Sequence, residues 1–290
     1  MRYEQGSTAT PREISYSASA RSIAGRAVIR SIENLTGRPR LLRMALGYEH
    51  EVEAGRDFWQ VMRERYQITL ELITGELENI PRDGPLVMVA NHPYGILDGL
   101  VMGWMLSKMR GDFRIIAHSV FRKAKDLEKV ILPIDFSETR DAVRLNIETR
   151  KEALDYLAGD GAIAIFPGGT VSTAAKPFGR PLDPVWKTFT AKMIAKSNAQ
   201  VVPVFFDGQN SRLFQVASHL NTTLRMALLI NEFDSRVGGP IRLSIGETLP
   251  QEEIQSRARD PKALMDYLRR ETYRLSPKPV KDSSYGLYFG

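Results

Sequence analysis

A histidine and an aspartate six positions apart, His92 and Asp98, sit within Asn91-His92-Pro93-Tyr94-Gly95-Ile96-Leu97-Asp98-Gly99, between two apolar runs. An imidazole beside a carboxylate can take a proton from a hydroxyl. The ring accepts the proton, and the carboxylate fixes its tautomer and stabilises the imidazolium that forms. On one continuous helix this separation leaves the two side chains about 120° out of line, on different faces, which disfavours a helical metal pair. They meet if His92 lies on a loop and Asp98 in the first turn of the next helix, with Pro93 and Gly95 making the bend. A core histidine beside a helix-capping aspartate is the other reading of the same residues. A second stretch, Phe166-Pro167-Gly168-Gly169-Thr170, offers backbone amides that could hold a carbonyl oxyanion or a phosphate. It could equally be a glycine turn between a strand and a helix.

The elements around these residues must position them. Residues 86–90 form a short continuous apolar run after the turn signal Arg82-Asp83-Gly84-Pro85 and read as a buried strand; residues 100–106 read as a buried helix. His92 and Asp98 therefore fall in a strand-turn-helix. Residues 67–72 alternate as a half-buried strand, 113–117 form another, and 130–135 a further one in which Pro133 implies a sheet edge. The spacing predicts a helix over 139–158 closed by Gly159, a buried strand over 162–166, and a helix from Asp183-Pro184 to Lys196. Residues 201–206 and 241–245 are further strands. Strands alternating with helices argue an α/β fold, layered, with a largely parallel sheet flanked by helices. Upstream, residues 1–16 are polar and expected to be poorly ordered. Residues 17–35 read as an amphipathic helix capped at Gly37, with Ser19, Ser22, Arg26, Arg30 and Glu33 on a polar arc that Arg21 violates; another helix spans 56–65. The expected division is a helical, basic N-terminal region over 1–65 and one α/β domain over 66–290.

Composition narrows the chemistry. The chain has 290 residues, is 43% hydrophobic and 26% charged, and falls in the ordinary globular range. It contains no cysteine, which excludes disulfides, zinc–thiolate sites and cysteine nucleophiles. It also has no G-x-S-x-G, so no serine nucleophile elbow is available either. The first residues lack the apolar core of a signal peptide, and no run of about 18 apolar residues free of charge occurs. Net charge is +6 with a pI near 9.5. Eight arginines against three glutamates in residues 1–45 concentrate that excess. No nucleic-acid motif accompanies them, so anionic lipid is the better partner, with a solvated basic face as the alternative.

The order and spacing of Asn91-His92 through Asp98-Gly99, Phe166-Pro167-Gly168-Gly169-Thr170 and Val202-Pro203-Val204 resemble the motifs of the glycerolipid and lysophospholipid acyltransferases. The likeness runs from about Ile68 to about Leu249 and is nearest to the hemolysin-like branch, whose bacterial members include O-acyltransferases of lyso-aminolipids. The resemblance implies an O-acyltransferase with His92 as general base and Asp98 as its partner. It also implies substrate contacts at Phe166, Pro167, Gly168, Gly169 and Thr170, and Arg140 holding the acceptor's anionic head group. The donor would be an acyl thioester of acyl carrier protein or coenzyme A. A lyso-aminolipid is the favoured acceptor and lysophosphatidate the next. No metal and no cofactor are implied, and the expected location is peripheral, on the cytoplasmic face of the inner membrane. Two departures stand out: five residues rather than the commoner four separate His92 from Asp98, and Gly168 replaces the usual glutamate. That glycine removes a carboxylate and is expected to leave space for a bulkier head group. Residues 207–214 also resemble this branch and are expected to border the acceptor. Arg144 and Arg150 read as a solvated helix face, and His50, His118 and His219 as structural or exposed. An acyl-ester or thioester hydrolase and a non-catalytic lipid-binding protein are the competing functions.

Overall fold

A computed structural model describes residues 15–20, 22–118, 125–135 and 139–288. The chain opens with four helices: α1 (Ile23–Leu35), α2 (Arg38–Ala45), α3 (Tyr48–Glu53) and α4 (Phe58–Arg65). Ser22 and Asp57 cap α1 and α4 through their side chains. Gly37, at φ 135°, breaks the chain between α1 and α2 and becomes the N-cap of the second. Strands β1 (Thr69–Thr74) and β2 (Leu86–Ala90) lead to helix α5 (Ile96–Arg110). Next come β3 (Arg114–His118), the short α6 (Lys125–Glu128), β4 (Ile131–Ile134), α7 (Arg140–Ala158) and β5 (Ala162–Ile165). A hairpin of β6 (Thr173–Ala174) and β7 (Pro181–Leu182) precedes α8 (Phe189–Ser197) and β8 (Gln200–Phe206). The chain closes with α9 (Arg212–Leu220), α10 (Thr222–Asp234), β9 (Pro240–Ile245), α11 (Gln251–Ser256) and α12 (Pro261–Arg274).

Seven strands form one sheet in the order β1-β9-β8-β2-β5-β3-β4. Every neighbouring pair is parallel except β8–β9, so the layered, largely parallel α/β fold is borne out. Pro133 lies in the edge strand β4, as its missing N–H requires. Pro203 sits inside the sheet but before the point where β9 begins to pair with β8 at Val204. Alternation along β2 divides the core between two faces. Leu86, Met88 and Ala90 pack with Met105, Phe206, Ile230 and Phe233 on the side of α5 and α10. Val87 and Val89 pack with Ile163, Trp186, Met193 and Leu268 on the side of α8 and α12. The buried Val, Leu, Ile, Met and Phe side chains among them contribute roughly 1.5–3 kcal/mol each.

Three expectations fail here. No helix begins at Asp183, because α8 starts only at Phe189. The intervening residues are held instead by hydrogen bonds of Asp183 to His92, Ser172 and Trp186. The polar arc of α1 does not face water throughout. Glu33 is fully buried and accepts the Tyr16 N–H at 2.7 Å, while Ile23 and Leu35 are 86% and 84% exposed. Ser15 and Tyr16, expected in a poorly ordered segment, are tied to Glu33; residues 1–14 and Arg21 lie outside the described residues.

Candidate active site

The end of β2 launches the first motif between two neighbouring strands. Asn91 is buried, donates through its amide nitrogen to the Phe206 carbonyl at 3.0 Å and accepts the Phe206 N–H at 2.7 Å. Its side chain thus adds one more rung between β2 and β8. The chain then turns at Pro93-Tyr94-Gly95 into α5. Gly95 adopts φ 77° and ψ −122°, a conformation essentially reserved for glycine, so a bend of this shape needs that residue. His92 is on the loop, and Asp98 is in the first turn of α5.

Asp98 has no exposed surface. Its Oδ2 accepts the N–H groups of Tyr94 at 2.8 Å and Gly95 at 3.0 Å, and lies 2.9 Å from Nδ1 of His92. The His92 contact is close but off the line of a full hydrogen bond, and Oδ1 of Asp98 has no hydrogen-bond partner. Such looseness is common where a site tightens only around its substrate. Burial pushes the Asp98 carboxyl above the ordinary carboxylate range, opposed by His92 and the two amides. The positive end of α5 also favours the ionised form. With a proton on Nδ1 facing the carboxylate, Nε2 carries the basic lone pair. The His92 side chain is 18% exposed, so a substrate can reach it.

The second motif frames the imidazole. Phe166, at the end of β5, stacks on the His92 ring with centroids 4.3 Å apart and planes at 27°. Pro167 and Gly168 form a tight turn closed by the Gly169 N–H to the Phe166 carbonyl at 3.0 Å. Further along, the Ser172 N–H donates to the His92 carbonyl at 2.8 Å. The carboxylate of Asp183 accepts the His92 N–H at 3.1 Å. A Cβ on Gly168 would lie 3.3 Å from the Asp183 carboxyl. The expected open space beside Gly168 is therefore filled, on that side, by a carboxylate from another part of the chain.

Two further groups close in from distant elements. Arg225 of α10 is buried and donates to Thr170 Oγ1 at 3.0 Å and the Val171 carbonyl at 2.8 Å. Burial pulls its pKa down to about 9, which leaves it charged at neutral pH. Tyr16 lies against Gly95, where its hydroxyl would be 3.7 Å from an added Cβ, and burial pushes its phenol far up. At the start of residues 207–214, Asp207 and Gly208 lie against Tyr94, whose hydroxyl donates to the Asp207 carbonyl at 3.2 Å. Gly208 is required there, since a Cβ would sit 1.4 Å from the Tyr94 oxygen.

Arg140 is not part of this cluster. It is exposed at the start of α7, after β4, and β4 lies three strands from β2 in the sheet. At about 4.8 Å per strand that is roughly 14 Å along the sheet edge. Of the remaining histidines, His50 is exposed beside Glu53, and Nε2 of His219 lies 3.0 Å from the Ala174 carbonyl. Among the described residues no group of three or more metal-binding side chains occurs. Asp183, Arg225 and Tyr16 carry no mark in the sequence, since nothing local distinguishes a residue that acts through contacts 55 to 91 positions away. The Asp183-Pro184 pair has only the local look of a helix start.

Adjacent strands β2 and β5 thus bring the first two motifs to the carboxyl edge of one parallel sheet, where α/β proteins bind their ligands, while Val202-Pro203-Val204 lies within β8 and flanks β2. Residues 18–280 match the profile of a family described as acyltransferase, and the chain belongs to that family; it is an acyltransferase. Two curated relatives sharpen the comparison. The lyso-glycine lipid O-acyltransferase of Phocaeicola vulgatus is 28% identical over 233 residues, covering 77% of this chain and 79% of that protein. The enzyme of the same name from Bacteroides thetaiotaomicron is 24% identical over 242 residues, covering 78% and 82%. Among solved structures, the 1-acyl-sn-glycerophosphate (LPA) acyltransferase PlsC of Thermotoga maritima aligns over 91% of this chain and 87% of its own, at 20% identity and a TM-score of 0.44.

Proposed function

We propose that the protein transfers a fatty acyl group from a thioester of acyl carrier protein or coenzyme A to the hydroxyl of a lyso-aminolipid, at a membrane surface. The observation that carries this reading is the His92–Asp98 contact of 2.9 Å at the mouth of the sheet. Nε2 of His92 takes the proton from the acceptor hydroxyl as its oxygen attacks the thioester carbonyl. The tetrahedral intermediate collapses, the carbon–sulfur bond breaks, and the thiolate leaves with the proton returned from the imidazolium. Asp98 balances the imidazolium charge in between. The N–H groups of Gly168 and Thr170, which donate to nothing among the described residues, are the oxyanion donors in this scheme; that of Gly169 is spent within the turn. The charge of Arg225 beneath Thr170 adds a favourable field there.

The acceptor assignment draws on the two relatives named for lyso-glycine lipids and on Gly168, which contributes no carboxylate of its own, the neighbouring Asp183 carboxyl being fully buried and engaged by His92, Ser172 and Trp186. Arg140, at the same edge of the sheet, is assigned the carboxylate of an extended acceptor head group, with lysophosphatidate as the competing acceptor. A peripheral location on the cytoplasmic face of the inner membrane fits the exposed apolar residues of α1 beside its arginines. Among the described residues, no helix is long and apolar enough to cross a membrane.

The test is a reaction of purified protein with acyl-CoA or acyl carrier protein thioester and both acceptors in competition, with products separated by chromatography. The lyso-aminolipid should be acylated in preference. A tenfold kcat/KM advantage for lysophosphatidate, about 1.4 kcal/mol in the other direction, overturns the acceptor assignment. Free fatty acid as the main product would make water the acceptor. His92→Ala should lose ~10²-fold or more in turnover, and retention of a tenth of the wild-type rate removes the base assignment.

A further inference from the structure

The least expected group near His92 is Asp183. It has no exposed surface and sits 91 positions further along the chain. Three donors converge on its two oxygens: the His92 N–H at 3.1 Å and the Ser172 hydroxyl on Oδ1, and the Trp186 indole N–H at 2.9 Å on Oδ2. As a carboxyl group, Asp183 offers acceptor lone pairs on both oxygens, which matches three converging donors, whereas an amide offers them on one. Its main chain is fixed independently. The Asp183 N–H donates to Tyr273 Oη at 2.8 Å, and its carbonyl accepts the Gly286 N–H at 2.9 Å and an Arg269 N–H at 3.3 Å. The Ser172 N–H meanwhile holds the His92 carbonyl at 2.8 Å. Both peptide groups flanking the His92 Cα are thereby tied to Asp183, one directly and one through Ser172. The glycine at 168 lets the carboxyl approach the second-motif loop closely.

We propose that Asp183 is a positioning residue of the acyl transfer: it locks the His92 main chain to the loop carrying Phe166 and Ser172, and so fixes where Nε2 points. This rests on the reading of His92 as the base. A displacement of about 1 Å at a reacting group can lower a rate ~10²-fold, so a residue that sets this position acts on turnover rather than on binding.

The experiment uses the full chain with acyl-CoA and a lyso-glycine lipid. Asp183→Asn keeps the shape but turns an amide N–H against one of the three donors. It should lower kcat ~10²-fold with KM for the acceptor within about threefold of wild type. Adding Trp186→Phe removes the opposed indole donor, and the double variant should recover about tenfold of that loss. Combined with His92→Ala, Asp183→Asn should add no further loss, because both changes remove the same arrangement. A merely structural Asp183 would instead reduce the folded fraction, seen by circular dichroism, and leave kcat per folded molecule unchanged. Wild-type kcat in folded Asp183→Asn, or losses that multiply in the double variant with His92→Ala, overturns the proposal. Should Asp183→Asn not fold, Ser172→Ala removes the hydroxyl bond that joins the second-motif loop to the Asp183 carboxylate, leaving the main-chain bonds of His92 in place; it should still lower kcat, and an unchanged kcat there overturns the proposal. If His92→Ala itself retains turnover, the base assignment has failed instead.

Discussion

Burying Asp98 beside His92 carries a stability penalty that can be measured. The folded chain raises the pKa of this carboxyl through desolvation, so the folded state holds the proton more tightly than the unfolded one. Stability contributed by such a group therefore falls as pH rises above the ordinary carboxylate value of about 4, and the full penalty is present above the folded pKa. Asp98→Asn removes the charge and keeps an oxygen for the Tyr94 and Gly95 amides. It should melt higher than wild type at pH 7.5, with the gap narrowing towards pH 4.5, while turnover drops at least ~10²-fold for want of a charge to balance the imidazolium. Equal melting temperatures across that range would contradict the burial argument. At this scale the sequence made the loop-then-turn placement of His92 and Asp98 legible, because Pro93 and Gly95 mark the bend. It could not show Asp183, Arg225 or Tyr16, whose partners are brought close only by the sheet and by α10 and α1.

Secondary structure was readable where one physical signal dominated. The buried strands β2, β5 and β8 are short apolar runs, and α7 is bracketed by a Thr139 cap and Gly159. Local signals mislead where they conflict with tertiary contacts. Asp183-Pro184 has the look of a helix start, yet its side chain is claimed by His92, Ser172 and Trp186 before a helix can begin. Helix α2 is short and rests on packing through Leu41 and Ala45 more than on periodicity, and the six residues of α3 are too few to show a period. Packing also explains Gly103 in the middle of α5, where propensity would favour alanine. A Cβ there would lie 2.3 Å from the Trp59 ring of α4. Gly103→Ala should therefore destabilise the fold by about 1–3 kcal/mol, read as a lower melting temperature, instead of stabilising the helix.

Across the whole molecule, the basic N-terminal region does two things at once. Ile29, Glu33 and Leu41 turn inward, and α1 and α2 pack on α10, while Ile23, Val28 and Leu35 face outward near Arg26. Deleting residues 1–45 would uncover α10 as well as remove the outer face, so surface changes are the cleaner test of membrane contact. Ile23→Glu with Leu35→Glu should leave the melting temperature unchanged and weaken sedimentation with anionic vesicles at least ~10-fold, given the area each apolar side chain could bury. Raising salt should weaken wild-type binding too. Unaltered vesicle binding by the double variant would rule out this face as the contact.

The side chain of Asn91 has a consequence for motion. Because it accepts the Phe206 N–H and donates to the same residue's carbonyl, the protection of that one amide against deuterium reports whether the floor of the site is intact. Phe206 should be among the slowest amides to exchange, at a rate indifferent to added acceptor, since this side of the site is already assembled before anything binds. Asn91→Ala strands the amide in a dry interior and should speed its exchange by orders of magnitude while strands far from β2 keep theirs. Substrate-dependent protection at Phe206 would instead mean that the floor forms on binding.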